Sequence, residues 1–128
     1  MNYKYGDVIY WRNYRFDDGI TGNKLLIVLS KPEGSSKCVS ALTTSVPPPF
    51  DLVAGCNEQP RTMFKISQGT CKLKKETIVQ LYRAEIYVLE PFSQDIKILF
   101  NLGANLTGQI KNCLKRAIDI YPEVKSLL

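Results

Sequence analysis

The sequence predicts a mostly β fold with one C-terminal helix, in which the strands form a small barrel. Short apolar runs separated by turn residues recur over the first 90 residues, and such runs are typical of strands. These strands are too short and too numerous to pair only with their chain neighbours, which favours a barrel. Near the C-terminus, apolar residues recur instead at helical spacing.

The strands are predicted from apolar runs with their flanking turns. The apolar run that follows Lys24 and the run that begins at Cys38 are joined by a polar stretch, which is typical of a hairpin. Residues 47–49 are all proline, and proline removes a ladder donor, so residues 45–50 are predicted to be an extended loop. We predict strands at about 7–14, 24–30, 37–44, 61–67, 77–82 and 85–90.

The C-terminal pattern predicts an amphipathic helix at about residues 106–121, ended by Pro122. Polar residues occupy the remaining turns, so one face is expected to pack on the strands. Residues 123–128 read as a short apolar tail that docks on the same surface or on a partner. The apolar positions of the helix are Ile110, Leu114, Ala117, Ile118 and Tyr121.

The length of 128 residues suits a single domain, 1–128, with its own core. The composition, 45% hydrophobic and 23% charged, is that of an ordinary soluble protein. No apolar run approaches the roughly 18 residues of a membrane span, and the N-terminus lacks the apolar region of a secretory signal. We therefore expect a cytoplasmic protein that does not bind membranes.

The four cysteines are widely spaced and the chain contains no histidine. A zinc site, a Cys-His nucleophile pair and any other cofactor site are therefore not expected. Cys38 and Cys113 are predicted to be reduced packing residues. Cys56 and Cys71 lie in loop-like sequence, and whether they meet is left open.

The charge balance, 17 Lys and Arg against 12 Asp and Glu, gives a net charge of +5 and indicates a possible nucleic-acid binder. Arg12 and Arg15 alternate with aromatic residues such as Tyr14, a mixture that suits single-stranded RNA. The alternative is that Tyr10 and Trp11 are strand residues that fill the core. A second basic group, Lys72, Lys74 and Lys75, reads more simply as a solvated turn.

Four features in order carry a family resemblance: the Gly6-Asp7 turn into an apolar strand, a glycine-rich loop at 17–22, the run KLLIVLS at 24–30, and the pair Thr43-Thr44. This order resembles the MazF/PemK family of toxin endoribonucleases, with Lys24 in place of the family's strand-heading arginine. Residues 77–90 resemble the family's next long strand, and residues 105–121 its closing helix. The resemblance covers most of the chain as a pattern of elements with few identical residues.

The resemblance implies an SH3-like β-barrel of the CcdB/PemK type and a metal-independent, sequence-selective endoribonuclease that cleaves single-stranded RNA. The implied catalytic residues are Lys24 and Thr43, and the implied partners are RNA, an acidic antitoxin peptide and a second copy in a homodimer. A lysine binds phosphate as a point charge and can give up its proton when burial lowers its pKa, whereas an arginine almost never does. With the basic and aromatic group, the candidate RNA-binding residues are Arg12, Tyr14, Arg15, Thr44 and Arg83.

Other interpretations remain open. The chain can be a catalytically degenerate barrel that binds nucleic acid or protein, in which Lys24 is an exposed strand start and Thr43 a β-branched strand end. Arg83 and Glu85 can form an exposed cross-strand charge pattern. A gyrase poison of the CcdB type is a third possibility, but the ending at residues 126–128 does not support it.

Overall fold

The computed structural model describes residues 3–31, 37–70, 73, 75–89 and 94–128. Within these ranges, eight strands precede two helices, and residues Leu81–Arg83 form a 3₁₀ turn. The strands are β1 Asp7–Arg15, β2 Thr21–Val28, β3 Lys37–Thr44, β4 Gly55–Asn57, β5 Met63–Ile66, β6 Thr77–Val79, β7 Glu85–Val88 and β8 Ile96–Asn101. The helices are α1 Ala104–Arg116 and α2 Pro122–Lys125.

All the strand pairs are antiparallel, in the order β4-β5-β6-β3-β2-β1-β8, and β7 also pairs with β3. The strand β3 is the branch point: its first half pairs with β7, and Thr43 and Thr44 pair with β6. The mostly β fold with a C-terminal helix is therefore confirmed. Among the described residues no pairing joins β8 to β4, so the sheet is not closed and the small barrel is not confirmed.

The core lies on both faces of β2, where Leu26, Ile27 and Val28 are all buried. Ile27 packs into a cluster with α1 residues such as Ile110 and Leu114, and Leu26 and Val28 pack into a second cluster. Burial of both faces explains why β2 reads as a continuous apolar run rather than as an alternating one. Both β2 and β3 contribute buried residues to the two clusters.

Three strands, predicted at 61–67, 77–82 and 85–90, are shorter than expected, and the strand predicted at 24–30 both begins and ends earlier in the chain; two observed strands were not predicted. The segment 77–90 is not one long strand, because the 3₁₀ turn Leu81–Arg83 divides it; there the Tyr82 N–H donates to the Thr62 carbonyl. The unpredicted strands are β4 and β8. With only three residues, β4 is too short to show an alternation of apolar and polar residues in the sequence. In β8, half-buried and exposed positions do alternate.

The predicted helix boundaries, 106–121, are wrong at both ends, since α1 is Ala104–Arg116. Ala117 has an extended backbone, and Asp119 turns toward β5, where its carboxylate accepts hydrogen bonds from the Thr62 N–H at 3.0 Å and from Thr62 Oγ1 at 2.7 Å. Ile118, predicted to face the core, is 85% exposed, and Tyr121 is 54% exposed. Pro122 does not end α1 but begins α2.

The C-terminal tail docks on the chain's own core, as one of the two predicted alternatives stated. Val124 is buried in the cluster that contains Ile110, and Leu127 and Leu128 pack against it. The tail therefore covers the same apolar surface as α1.

The prediction that Cys113 is a reduced packing residue is wrong. Cys113 lies on the buried face of α1, which packs against β4, and there it forms a disulfide with Cys56, with the Cα atoms 5.6 Å apart. Cys38 is free and buried, as predicted. The question about Cys71 falls on a residue outside the described ranges.

Within the described ranges, neither helix is long and apolar enough to cross a membrane.

Candidate functional site

A cleft of about 480 Å³ opens where β2 begins and β3 ends. We call it the Lys24 cleft. Lys24, Thr43 and Thr44, which were selected from the sequence, line this cleft. Further polar side chains come from the start of β2, from the loop that follows β3, and from β6 with the residues just before it. The lining residues that matter below are Asn23, Lys24, Thr43, Thr44, Lys75 and Thr77.

The Lys24 side chain is half-buried at the edge of this cleft. Its Nζ donates a hydrogen bond to the Thr43 carbonyl at 3.1 Å and lies 5.7 Å from the centre of the Phe16 ring. Burial, and next the positive charge of Arg83, lower the pKa of Lys24 from its ordinary value. The neutral amine is therefore reached at a lower pH than for a solvated lysine.

The Thr43 side chain is buried, with 6% of its surface exposed. Its hydroxyl donates to the Leu25 carbonyl at 3.1 Å, so the hydroxyl hydrogen is already used within the protein. Only the oxygen lone pairs remain for another partner. Thr43 thus ties β2 to β3 with its side chain and holds the Lys24 amine with its carbonyl.

The Thr44 hydroxyl is used in the opposite way to that of Thr43, as an acceptor rather than as a donor. It is half-buried, and its Oγ1 accepts a hydrogen bond from the Val46 N–H at 3.1 Å. Because the oxygen is the acceptor there, the hydroxyl hydrogen can be donated to a bound anion. Of the threonine pair, Thr44 is the donor that the cleft presents.

Arg83 lies beside the cleft without lining it. Its guanidinium forms an ion pair with Asp17 at 3.6 Å, and its charge contributes to lowering the pKa of Lys24. Asp17 is fully exposed, and exposed pairs of this kind contribute little to stability. Arg83 is therefore available to a negative ligand that approaches Lys24.

The other candidates from the β1 region lie outside the cleft lining. Arg12 forms an exposed ion pair with Asp95 at 3.4 Å, and Arg15 is exposed at the end of β1. Tyr14 is half-buried and packs edge-to-face on Phe16, with ring centres 5.4 Å apart. Of these three, Tyr14 is the one that the structure connects to Lys24, through the Phe16 ring.

Tyr14 also belongs to an aromatic group with Trp11, Phe16 and Tyr87. The hydroxyls of Tyr14 and Tyr87 lie 3.4 Å apart. Burial, and then the hydrogen bond with Tyr14, raise the pKa of Tyr87, so its phenol stays neutral. Trp11 and Tyr14 pack against the second core cluster, whereas a role of these aromatic residues in binding RNA stays a prediction.

Lys75 is a lining residue that the sequence interpretation assigned to a solvated turn. The structure places it on the cleft wall, two residues before β6 begins at Thr77. The cluster of lysines was the available signal, but which of them lines the cleft depends on the fold. Lys72 and Lys74 lie outside the described residues.

The cleft is suited to an anion rather than to a metal ion. In the part of the chain that the structure describes, no three His, Cys, Asp or Glu side chains come close enough together to hold a metal. Two lysines and the Thr44 hydroxyl instead supply donors and positive charge, which is what a phosphate oxygen requires.

Comparison with protein-family models found no matching family, and comparison with curated proteins found no matching relative. The MazF/PemK resemblance therefore stays a prediction from the sequence.

Proposed function

We propose that this chain is a toxin of the MazF/PemK kind, a metal-independent and sequence-selective endoribonuclease that cleaves single-stranded RNA in the Lys24 cleft. One observation carries the proposal. Lys24 and Thr43 were selected by the resemblance from separate strands, and in the fold the Lys24 amine contacts the Thr43 carbonyl at 3.1 Å on the wall of one open cleft.

The proposed reaction needs a proton acceptor and a site for phosphate charge. The neutral Lys24 amine takes the proton of a ribose 2′-hydroxyl, whose oxygen bonds to phosphorus while the bond from phosphorus to the 5′-oxygen breaks. The 5′-oxygen then takes a proton from a water molecule, and the hydroxide that is left takes the proton from Lys24, which restores the neutral amine. The products are a 2′,3′-cyclic phosphate and a 5′-hydroxyl end.

The remaining side chains of the cleft bind and orient in this proposal. Thr44 donates its hydroxyl hydrogen to a phosphate oxygen, and Lys75 adds positive charge. Thr43 acts through the protein: its hydroxyl ties β3 to β2, and its carbonyl orients the Lys24 amine. Arg83 and the half-buried Tyr14 extend the surface along which RNA continues.

The proposal includes the wider expectations of the resemblance. The open antiparallel sheet is a divergent form of the SH3-like barrel, the protein is a homodimer, and an acidic antitoxin peptide occupies the same cleft. The net charge of +5 and the two lysines of the cleft support an acidic partner there.

A second candidate function is a barrel-derived module that binds RNA without cleaving it. The observation that favours it is the use of both implied catalytic groups inside the protein: the Lys24 amine and the Thr43 hydroxyl each donate to a backbone carbonyl. Binding then uses the positive charge of Lys24, and proton transfer plays no part.

The test is cleavage of a mixed-sequence single-stranded RNA by the purified chain in EDTA, with the ends mapped. We expect discrete cuts with 5′-hydroxyl ends, and a loss of about 10²- to 10⁴-fold in rate for Lys24→Ala. Lys24→Arg separates two roles, because it keeps the charge but cannot accept a proton at these pH values: loss of cutting supports Lys24 as the base, whereas retained cutting gives it the charge role of the family's arginine. Thr43→Ala should also lose activity.

Lys115→Ala is the matched control, because Lys115 is exposed on α1 and away from the cleft lining. The pH profile adds a further check. If the neutral amine is the base, the wild-type rate rises with pH up to the lowered pKa of Lys24 and then levels. RNA binding without cleavage by folded wild-type protein would select the second candidate, and an active Lys24→Arg variant would remove Lys24 as the base.

A further inference from the structure

The loop between β1 and β2 brings two side chains to the positive charges at the Lys24 cleft. The Phe16 ring centre lies 5.7 Å from Lys24 Nζ, and the Asp17 carboxylate forms an ion pair with Arg83 at 3.6 Å. Burial, and then the positive charge of Arg83, lower the pKa of Lys24, so the two cations are close enough to repel each other. The loop therefore contacts both members of a pair of neighbouring cations.

The loop is held in this position by backbone hydrogen bonds and by the Phe16 ring. The Phe16 N–H donates to the Ile20 carbonyl at 2.9 Å, and the Gly19 N–H donates to the Phe16 carbonyl at 2.9 Å. The Phe16 ring packs on Gly22, where a Cβ atom would lie 2.8 Å from a ring carbon. Phe16 therefore anchors the loop to β2, two residues before Lys24.

The two carboxylates of the loop have different partners. Asp18 accepts a hydrogen bond from the Ile20 N–H at 3.0 Å and so belongs to the turn itself. Asp17 instead contacts Arg83, in the 3₁₀ turn that precedes β7. The Asp17 side chain is fully exposed and that of Arg83 is 41% exposed. Since an exposed pair of this kind is weak, another anion can replace the carboxylate at little cost.

We propose that Asp17 is an internal competitor of RNA: it pairs with Arg83 in the free protein, and a phosphate of bound RNA displaces it from the guanidinium. This rests on the proposed function of the Lys24 cleft. An anion between two neighbouring cations removes their mutual repulsion, which favours a phosphate that contacts both Lys24 and Arg83. Carboxylate and phosphate oxygens bind the same guanidinium N–H donors, so they compete. Asp17 is thus a positioning residue that acts through Arg83 and limits the affinity for RNA.

The test is binding of a labelled 2′-O-methyl RNA octamer of mixed sequence, measured by fluorescence anisotropy with the full chain. The methyl group blocks the 2′-oxygen, so binding is measured without cleavage. We expect Asp17→Asn, which removes the competing charge, to tighten binding by about two- to fivefold. Asp17→Glu keeps the charge and should bind the octamer as the wild type does.

Asp18→Asn is the matched control, because it changes the net charge by the same amount one residue away. The asparagine oxygen can still accept the hydrogen bond from Ile20. The gain in affinity should be smaller for Asp18→Asn than for Asp17→Asn, and adding Arg83→Gln should reduce the effect of Asp17→Asn to that of the control. Without RNA, Asp17→Asn should shift the Arg83 Nε–H resonance, and Asp18→Asn should leave it in place.

The outcomes separate the two proposals. If Asp17→Asn gains no more affinity than Asp18→Asn, or if its gain persists in the Arg83→Gln background, the internal competitor is wrong while the proposed function of the Lys24 cleft stands. If the wild-type chain does not bind the octamer, or if Lys24→Ala leaves binding unchanged, the proposed function is wrong and the internal competitor falls with it.

Discussion

Lys24 illustrates how one side chain acquires its chemistry from parts of the chain that are distant in sequence. Its position at the start of an apolar run is visible in the sequence, but the two causes of its lowered pKa are not. Burial comes from the meeting of β2 with the end of β3, and the second cause is Arg83 beyond β6. An arginine at the same position would keep its proton.

Gly6 is a residue whose replacement should be costly. Its φ is +92°, its N–H donates to the Val28 carbonyl, and a Cβ atom there would lie 2.6 Å from Thr107 Oγ1. We expect Gly6→Ala to lower the free energy of unfolding by about 2–4 kcal/mol, since backbone strain and a steric clash with α1 add together. Urea denaturation measures the loss.

Gly19→Ala is the matched control for this prediction. Gly19 has a φ of +84°, but a Cβ atom there would meet nothing within 4 Å. Gly19→Ala should therefore lower the free energy of unfolding only by the cost of backbone strain, about 1–2 kcal/mol. Equal losses for the two variants would show that the contact with Thr107 contributes nothing.

At the scale of elements, the strands of the core were predictable and the ends of α1 were not. The predicted limits of β3, 37–44, match the structure, because its apolar run is bounded by polar residues in the sequence. The end of α1 depends on Asp119 reaching Thr62, a contact between residues far apart in the chain. The three-residue strand β4 owes its existence to pairing with β5 and has no local pattern.

Asp119 is expected to matter more than an exposed carboxylate usually does. It accepts two hydrogen bonds from Thr62, which is only 1% exposed. Asp119→Ala leaves a buried N–H and a buried hydroxyl without their partner, which should cost about 1–3 kcal/mol of unfolding free energy. Thermal or urea unfolding of the variant measures this.

The control for Asp119 is Asp18→Ala. Asp18 accepts a hydrogen bond from the Ile20 N–H at 3.0 Å, in an exposed loop where water can replace the carboxylate. Asp18→Ala should therefore lower the free energy of unfolding by no more than about 0.5 kcal/mol. If the Asp119 variant is no less stable than this control, the contact with Thr62 does not determine where α1 ends.

The candidate site was predictable to a similar degree. Lys24, Thr43 and Thr44 were identified from the order of sequence motifs, and the fold brings all three to one cleft. The contribution of Lys75 was missed, since a lysine cluster does not show which member faces the cleft.

For the whole molecule, the helical layer and the sheet are held together by both packing and a covalent bond. The Cys56–Cys113 disulfide joins β4 to α1 and closes a loop over a sequence separation of 57 residues. Ile110 and Leu114 are buried on the same helix. The bond restricts the unfolded chain in addition to anchoring the helix.

Removing this bond should destabilise the whole molecule. We expect Cys56→Ala with Cys113→Ala to lower the free energy of unfolding by about 2–4 kcal/mol. Reductant should shift the unfolding curve of the wild type toward that of the double variant and leave the double variant unchanged. Cys38→Ala, which removes a free buried thiol, is the control and should keep the response to reductant. A wild-type curve insensitive to reductant would contradict the prediction.

The branch point at β3 has a thermodynamic consequence for any ligand of the Lys24 cleft. The cleft is lined by residues from Asn23 to Thr77, and its walls meet only after β3 has paired with both β2 and β6. An unfolded chain therefore contains no binding surface of this kind. Every ligand that occupies the cleft favours the native state by mass action, and occupancy at one hundred times the dissociation constant adds about 2.7 kcal/mol to the unfolding free energy.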